Sequence, residues 1–132
     1  MIEPSSSAPR ALPRTLLIVD DEEKICRVLA QYFSLKGYEV ATVHGGEEAL
    51  ARVEASLPDA VLLDVFMPGL NGMETLKLLK QRYPHLRVVV VSAADRHEAE
   101  RQALQLGADA YLCKPVVFGT LGEIVDRFWN PA

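Results

Sequence analysis

Hydrophobic positions along this chain fall into short β-branched runs, separated by longer stretches in which apolar residues recur at helical spacing. Leu16 to Val19 is apolar throughout, too short for a helix and suited to a buried strand. From Glu22 to Lys36, the residues Ile25, Val28, Leu29, Tyr32 and Leu35 are spaced to form one apolar helical face. Gly37 then stands where a helix end wants a left-handed residue. Tyr38 to Val43 reads as a second strand, and Gly46 to Ala55 as a short helix resting on Ala49, Leu50 and Val53. Pro58 and Asp59 break it before a third strand, Ala60 to Leu63. Pro68-Gly69 marks a turn, and Asn71 to Arg82 reads as a helix with Met73, Leu76 and Leu79 inward, stopped by Pro84. Arg87 to Val91 is the most strand-like run of all. Asp95 to Leu106 is a more polar helix with Ala99, Ala103 and Leu106 on one side, ended by Gly107. Ala110 to Cys113 supplies a fifth strand and Val116 to Trp129 a last helix, in which Gly119 and Gly122 each cost about 1 kcal/mol relative to Ala.

Five alternating strand–helix units with short connections call for an α/β fold. We expect a single doubly wound (βα)5 domain with a parallel sheet and helices on both faces. Periodicity alone leaves the strand order open. The expected organisation is an N-terminal arm over residues 1–14, a folded domain over 15–129 and a short end at 130–132. The arm is rich in Pro and Ser and too poor in apolar residues to pack, and it lacks the apolar stretch of a secretory signal.

Composition narrows the partners. The 132 residues suffice for one self-supporting core, and an apolar fraction of 49% with 24% charged residues is that of an ordinary globular domain. A net charge of -4 argues against direct DNA binding, which needs clustered Lys and Arg. No apolar stretch reaches the roughly 20 residues of a membrane helix. Cys26 and Cys113 lack metal-ligand spacing and secretory context, so both are expected to be reduced thiols, in a cytoplasmic protein.

The candidate chemistry lies at the strand ends. Asp20-Asp21, Asp64, Ser92 and Lys114 each follow or close a β-branched run, and a parallel sheet brings those ends together, where open α/β sheets place their ligands. Hard carboxylate oxygens suit Mg²⁺, which keeps several waters and needs only one or two such ligands. A carboxylate beside the metal can attack phosphorus. Lys114 would neutralise charge on a phosphoryl group, and the Ser92 hydroxyl could donate to its oxygen. Each residue also has a plainer role. Asp20-Asp21-Glu22 would serve as a helix cap, Asp64 as a turn residue, Ser92 as a loop hydroxyl and Lys114 as a solvated charge. Their joint placement favours the site.

The chain resembles the receiver domain of two-component response regulators, the CheY-like branch of the flavodoxin-like folds. The resemblance runs from about Thr15 to Trp129. It rests on Leu16-Leu17-Ile18-Val19-Asp20-Asp21-Glu22, on Leu63-Asp64-Val65-Phe66-Met67-Pro68-Gly69 with Asn71-Gly72-Met73-Glu74, on Val90-Val91-Ser92-Ala93, and on Gly107-Ala108-Asp109-Ala110-Tyr111-Leu112-Cys113-Lys114-Pro115. It implies a five-stranded parallel sheet of order 2-1-3-4-5. Asp64 is then the phosphoacceptor, receiving its phosphoryl group from a phosphohistidine of a sensor histidine kinase or phosphotransfer protein. Mg²⁺ is held by Asp21, Asp64 and the Phe66 backbone carbonyl, with Asp20 acting through water. Lys114 pairs with phosphoryl oxygens and the Lys114-Pro115 bond is cis. Ser92 and Tyr111 form the switch, and the output face is the fourth helix, fifth strand and fifth helix, from Asp95 to Trp129.

Such a domain is not an enzyme in the turnover sense, but a phosphoacceptor that promotes its own phosphorylation and dephosphorylation. It acts on a downstream protein or on an output domain beyond this chain. Phe128 and Trp129 either pack inward or join a homodimer contact formed on phosphorylation. Phe66 and Ala94 carry no polar group to orient an attacking water, so self-dephosphorylation is expected to be slow. Three other readings compete. A pseudo-receiver would lack part of the acidic, hydroxyl and Lys set. A phosphohydrolase of the haloacid dehalogenase type would carry Asp-x-Asp on the first strand, and a flavodoxin-like cofactor binder would need a phosphate loop there.

Overall fold

The computed structural model describes residues 13–66, 71–93 and 97–130. Residues 1–12 of the expected arm, the Pro68-Gly69 turn, Ala94, the first two residues of the expected fourth helix and residues 131–132 lie outside them. In chain order the elements are β1 Thr15–Val19, α1 Glu23–Leu35, β2 Glu39–Val43, α2 Gly46–Ala55, β3 Ala60–Asp64, α3 Gly72–Arg82, β4 Arg87–Ser92, α4 His97–Gln105, β5 Ala110–Cys113 and α5 Phe118–Arg127. All strand pairs are parallel and the order is β2-β1-β3-β4-β5. The order therefore reverses direction between β1 and β3, which opens a crevice beyond their C-terminal ends.

Side-chain alternation along the strands divides the core in two. Leu17, Val19, Val61, Leu63, Val88 and Val90 face Ala49 and Val53 of α2, Leu76 and Leu79 of α3, and Ala103 of α4. Leu16, Ile18, Ala60, Leu62, Val89 and Val91 face Cys26, Leu29 and Phe33 of α1, and Leu121 and Val125 of α5. Both faces of the central strands are covered, which is why these strands read as continuous apolar runs rather than alternating ones.

One expectation is corrected at α1 and one is extended at α5. The face of α1 that meets the sheet is Cys26, Leu29 and Phe33, whereas Val28 and Leu35 are 43% and 83% exposed. The predicted stripe is rotated by about one residue, because α1 also packs sideways on α5. Ile25 and Tyr32 are partly buried there, with Tyr32 5.3 Å from Phe118. In α5, Gly122 is no mere weak point. A Cβ there would lie 2.7 Å from the Tyr32 hydroxyl, so the bare backbone lets the two helices approach. Gly37 takes the left-handed conformation expected of it (φ 101°), its N–H donating to the Ser34 carbonyl and that of Tyr38 to Phe33, so the end of α1 is satisfied.

Candidate functional site

The parallel register lines up the strand ends. Val19 of β1 pairs with Val43 and Leu63, Asp64 of β3 with Val91, and Ser92 of β4 with Cys113. Asp20, Asp64, Ser92 and Lys114 are thereby gathered at one pole of the sheet. Asp20 and Asp64 are buried, 3% and 4% exposed, and Ser92 is fully buried.

The two buried carboxylates are held in the same way. Asp20 Oδ1 accepts the Glu22 N–H at 2.9 Å, and Asp64 Oδ1 accepts the Phe66 N–H at 2.9 Å. Each is a local turn in which an aspartate satisfies the backbone two residues on. Their other oxygens converge on one cation: Lys114 Nζ donates to Asp20 Oδ2 at 2.9 Å and to Asp64 Oδ2 at 3.2 Å. Glu22 Oε1 stands 3.8 Å from the same ammonium. Asp21 points outward, yet Asp20, Asp21 and Asp64 each offer a carboxylate oxygen within 4.8 Å of the others. Three hard oxygen donors with one open side fit Mg²⁺ and its retained waters.

Electrostatics make this cluster responsive. Burial, with a contribution from the Asp20 charge, pushes the Asp64 carboxyl above its ordinary value, although the Phe66 N–H and Lys114 act against the rise. Burial opposes the Lys114 ammonium, but hydrogen bonds and charge from Asp20 and Asp64 outweigh it and raise its pKa. The site thus holds more negative charge than one lysine compensates, which is a condition for drawing in a divalent cation.

Alternation places the remaining candidates. Asp64 and Lys114 have the strand parity of Leu62 and Leu112 and belong to the α1/α5 side, whereas Ser92 and Tyr111 share the side of Val88 and Val90. Tyr111 is partly buried against the core on the side of the sheet covered by α2, α3 and α4. It lies opposite Val90, one diagonal step from Ser92 on the same face. The Lys114–Pro115 peptide is cis, and the Lys114 N–H donates to the Ser92 carbonyl at 2.7 Å. The Phe66 side chain is 54% exposed.

Two further residues stand beside the site, Cys26, expected only as a reduced thiol, and His44, which the strand pattern did not mark. The Cys26 thiol donates to the Asp20 carbonyl at 3.3 Å, and His44 Nδ1 lies 3.1 Å from the same oxygen and 3.8 Å from the sulfur. The available signal was register. His44 follows β2 directly, and the pairing of β2 with β1 brings it level with Asp20, whose N–H donates to the Val43 carbonyl at 3.2 Å.

Sequence and structure comparison now define the class. Residues 16–126 match the response regulator receiver domain family, and the chain belongs to that family. It is 39% identical over 102 residues to the alkaline phosphatase synthesis transcriptional regulatory protein PhoP of Bacillus subtilis, covering 77% of this chain and 42% of that protein. It is 38% identical over 100 residues to the response regulator MprA of Mycobacterium avium, covering 76% of this chain and 44% of that one. The chain thus spans less than half the length of these relatives. Among solved structures, a CheY-like receiver domain protein from Methanospirillum hungatei superposes with a TM-score of 0.86 at 29% identity, over 90% of this chain and 95% of that one. The chemotaxis protein CheY4 of Vibrio cholerae gives 0.82 at 28% identity, over 87% and 98%. The molecule is a receiver domain of the two-component response regulators, with the CheY-like flavodoxin fold.

Proposed function

We propose that this receiver takes a phosphoryl group onto Asp64 in a Mg²⁺-dependent step. The observation that carries the reading is the pairing of two buried carboxylates, Asp20 and Asp64, around the single ammonium of Lys114, with Asp21 adjoining. Asp21, Asp64 and the Phe66 carbonyl would hold the metal, and Asp20 would reach it through water. Bound there, Mg²⁺ supplies charge neutralisation for the carboxylates and for the phosphoryl oxygens. The donor is a phosphohistidine of a sensor kinase or phosphotransfer protein. An Asp64 carboxylate oxygen forms a bond to phosphorus as the histidine N–P bond breaks, and the imidazole leaves with the electron pair. The Phe66 N–H and Lys114 fix the nucleophile in place, so little reorganisation is needed at the moment of transfer. Hydrolysis of the acyl phosphate returns the domain to its resting state, slowly, because the Phe66 side chain offers no group to orient water.

The added phosphoryl oxygens would recruit Lys114 and the Ser92 hydroxyl. Ser92 and Tyr111 occupy one face of neighbouring strands, so a shift at Ser92 would be felt by the packing of Tyr111 against the core on that face. The equilibrium of the α4–β5–α5 face is biased accordingly, towards a downstream protein, an output domain or a second copy of the chain. No helix among the described residues is long and apolar enough to cross a membrane.

The test is intact-mass measurement after incubation with Mg²⁺ and acetyl phosphate. The wild type should gain one phosphoryl group, and the gain should vanish in Asp64→Asn and on chelation of Mg²⁺. Unmodified wild type with no measurable Mg²⁺ binding would instead mark a pseudo-receiver that works by protein contact alone.

A further inference from the structure

Beneath the acidic cluster lies a cavity of about 420 Å³ between the sheet and helices α1 and α5. Its walls are apolar: Leu62 and Val91 from the sheet, Ile25 and Leu29 from α1, Val116 from the β5–α5 connection and Phe118 from the start of α5. The charged side chains of the lining are Asp20, Asp64 and Lys114, which meet at the strand ends. The volume lies in the range that holds small organic ligands, and an apolar chamber with a few convergent polar groups is their usual form.

We propose that this cavity is a binding site for a small apolar molecule with a single ammonium head. The apolar body would fill the chamber between α1 and α5, and the ammonium would reach the carboxylates at its mouth. Charge selects the head. Within the lining, two carboxylates, Asp20 and Asp64, stand against the one lysine that pairs with both, and the exposed carboxylates of Asp21 and Glu22 adjoin them outside the chamber. An anionic head meets like charge there and is rejected. A neutral head gains hydrogen bonds but no charge assistance. Such a ligand would compete with a divalent cation for Asp20 and Asp64, and its occupancy would set how readily the domain takes up metal. The chamber itself stands independently of phosphoryl transfer, so its occupancy is read without any phosphoryl donor.

The experiment is a titration of ¹⁵N-labelled protein, free of Mg²⁺, with phenylpropylamine, phenylpropanol and phenylpropionate, followed by amide chemical shifts. The expected result is saturable movement of the Ile25, Leu29, Val116 and Phe118 amides with the amine. Binding should be about tenfold weaker with the alcohol and undetectable with the carboxylate. Added Mg²⁺ should raise the apparent dissociation constant of the amine. Val116→Phe, which fills the chamber, should abolish the shifts while Mg²⁺ still binds. Ile25→Phe serves the same purpose from a partly buried helix position, should Val116→Phe fail to fold. Three outcomes overturn the proposal: no saturation by the amine, equal binding of amine and alcohol, or amine shifts that persist in the filled variants. The last would reduce the site to the acidic cluster alone.

Discussion

Burial makes ionisation of Asp64 expensive, and the cost can be measured. Its folded pKa lies above the ordinary carboxyl value of 3.8, so the folded state holds the proton more tightly than the unfolded chain does. Its contribution to stability is therefore most favourable below 3.8 and falls as pH rises through the raised folded value. In chelator at neutral pH, Asp64→Asn should raise the urea midpoint, by about 1 kcal/mol in stability. The gap should close as pH is lowered past 3.8, and a gap constant from pH 3 to 7 would show that ionisation is not its source. Lys114→Met acts in the opposite sense, since it leaves two buried carboxylates without their cation. We expect a loss on the order of 3 kcal/mol, recovered in part by Mg²⁺. Cys26 gives a chemical readout of the same neighbourhood. Burial, and then the Asp20 charge, push its thiol from 9.0 up to about 11. Iodoacetamide at pH 8 should therefore leave Cys26 unmodified in the native state and label it once the chain unfolds.

At the scale of the elements, the junction of β3 and α3 sets how accurately Asp64 is held. A Cβ on Gly72 would sit 2.1 Å from the Val65 Cα and 2.6 Å from its carbonyl carbon, backbone atoms that cannot turn aside. Gly72→Ala should destabilise the domain by about 3 kcal/mol or more and slow phosphorylation by acetyl phosphate, because Val65 lies between Asp64 and Phe66. Gly119→Ala is the control. It has nothing within 4 Å and lies inside α5, so it should stabilise by about 1 kcal/mol in urea unfolding. These glycines also show where sequence reading succeeds and where it stops. Strand and helix alternation was legible because both sheet faces are buried, and the aspartates, serine and lysine stood out because each closes an apolar run. The role of Gly72 was not, since closeness of β3 to α3 is a tertiary fact and one glycine resembles another in a pattern. The orientation of α1 failed for a related reason: Val28 and Leu35 satisfy helical spacing as well as Cys26 and Phe33 do, and only contact with the sheet decides between them. His44 was hidden by register, which the strand pattern leaves open.

Considered as a whole, the molecule has a charged pole at the strand ends and a second anchoring cluster at the opposite end of α5. The first turn of α5 carries Phe118 beside the cavity, while its C-terminal end is fastened to the turn between α1 and β2 by a chain of polar contacts. Tyr38 donates to Asp126 Oδ1 at 2.6 Å, Trp129 Nε1 donates to the Tyr38 hydroxyl at 2.9 Å, and Lys36 Nζ reaches Asp126 Oδ2 at 2.8 Å. The Arg14 guanidinium lies 4.4 Å from the centre of the Trp129 ring, so the chain entering β1 joins the same cluster. This arrangement fixes the far end of α5. Of the two roles weighed for Phe128 and Trp129, the packing one is thus occupied within the domain. Tyr38 makes the anchor testable by pH. Burial, and then its bond to Asp126, raise its hydroxyl from 10.0 to about 12, so the folded state binds that proton more tightly than the unfolded state. The stability it contributes is complete below pH 10 and is lost as pH rises from 10 towards 12. Tyr38→Phe should therefore cost about 2 kcal/mol at pH 7, and the difference between wild type and variant should shrink across that alkaline window. Lys36, whose pKa Asp126 also raises, titrates in both proteins and largely cancels in the difference. A difference that stays constant through pH 12 would place the role of Tyr38 in its ring contacts with Phe33 and Trp129 rather than in the hydroxyl.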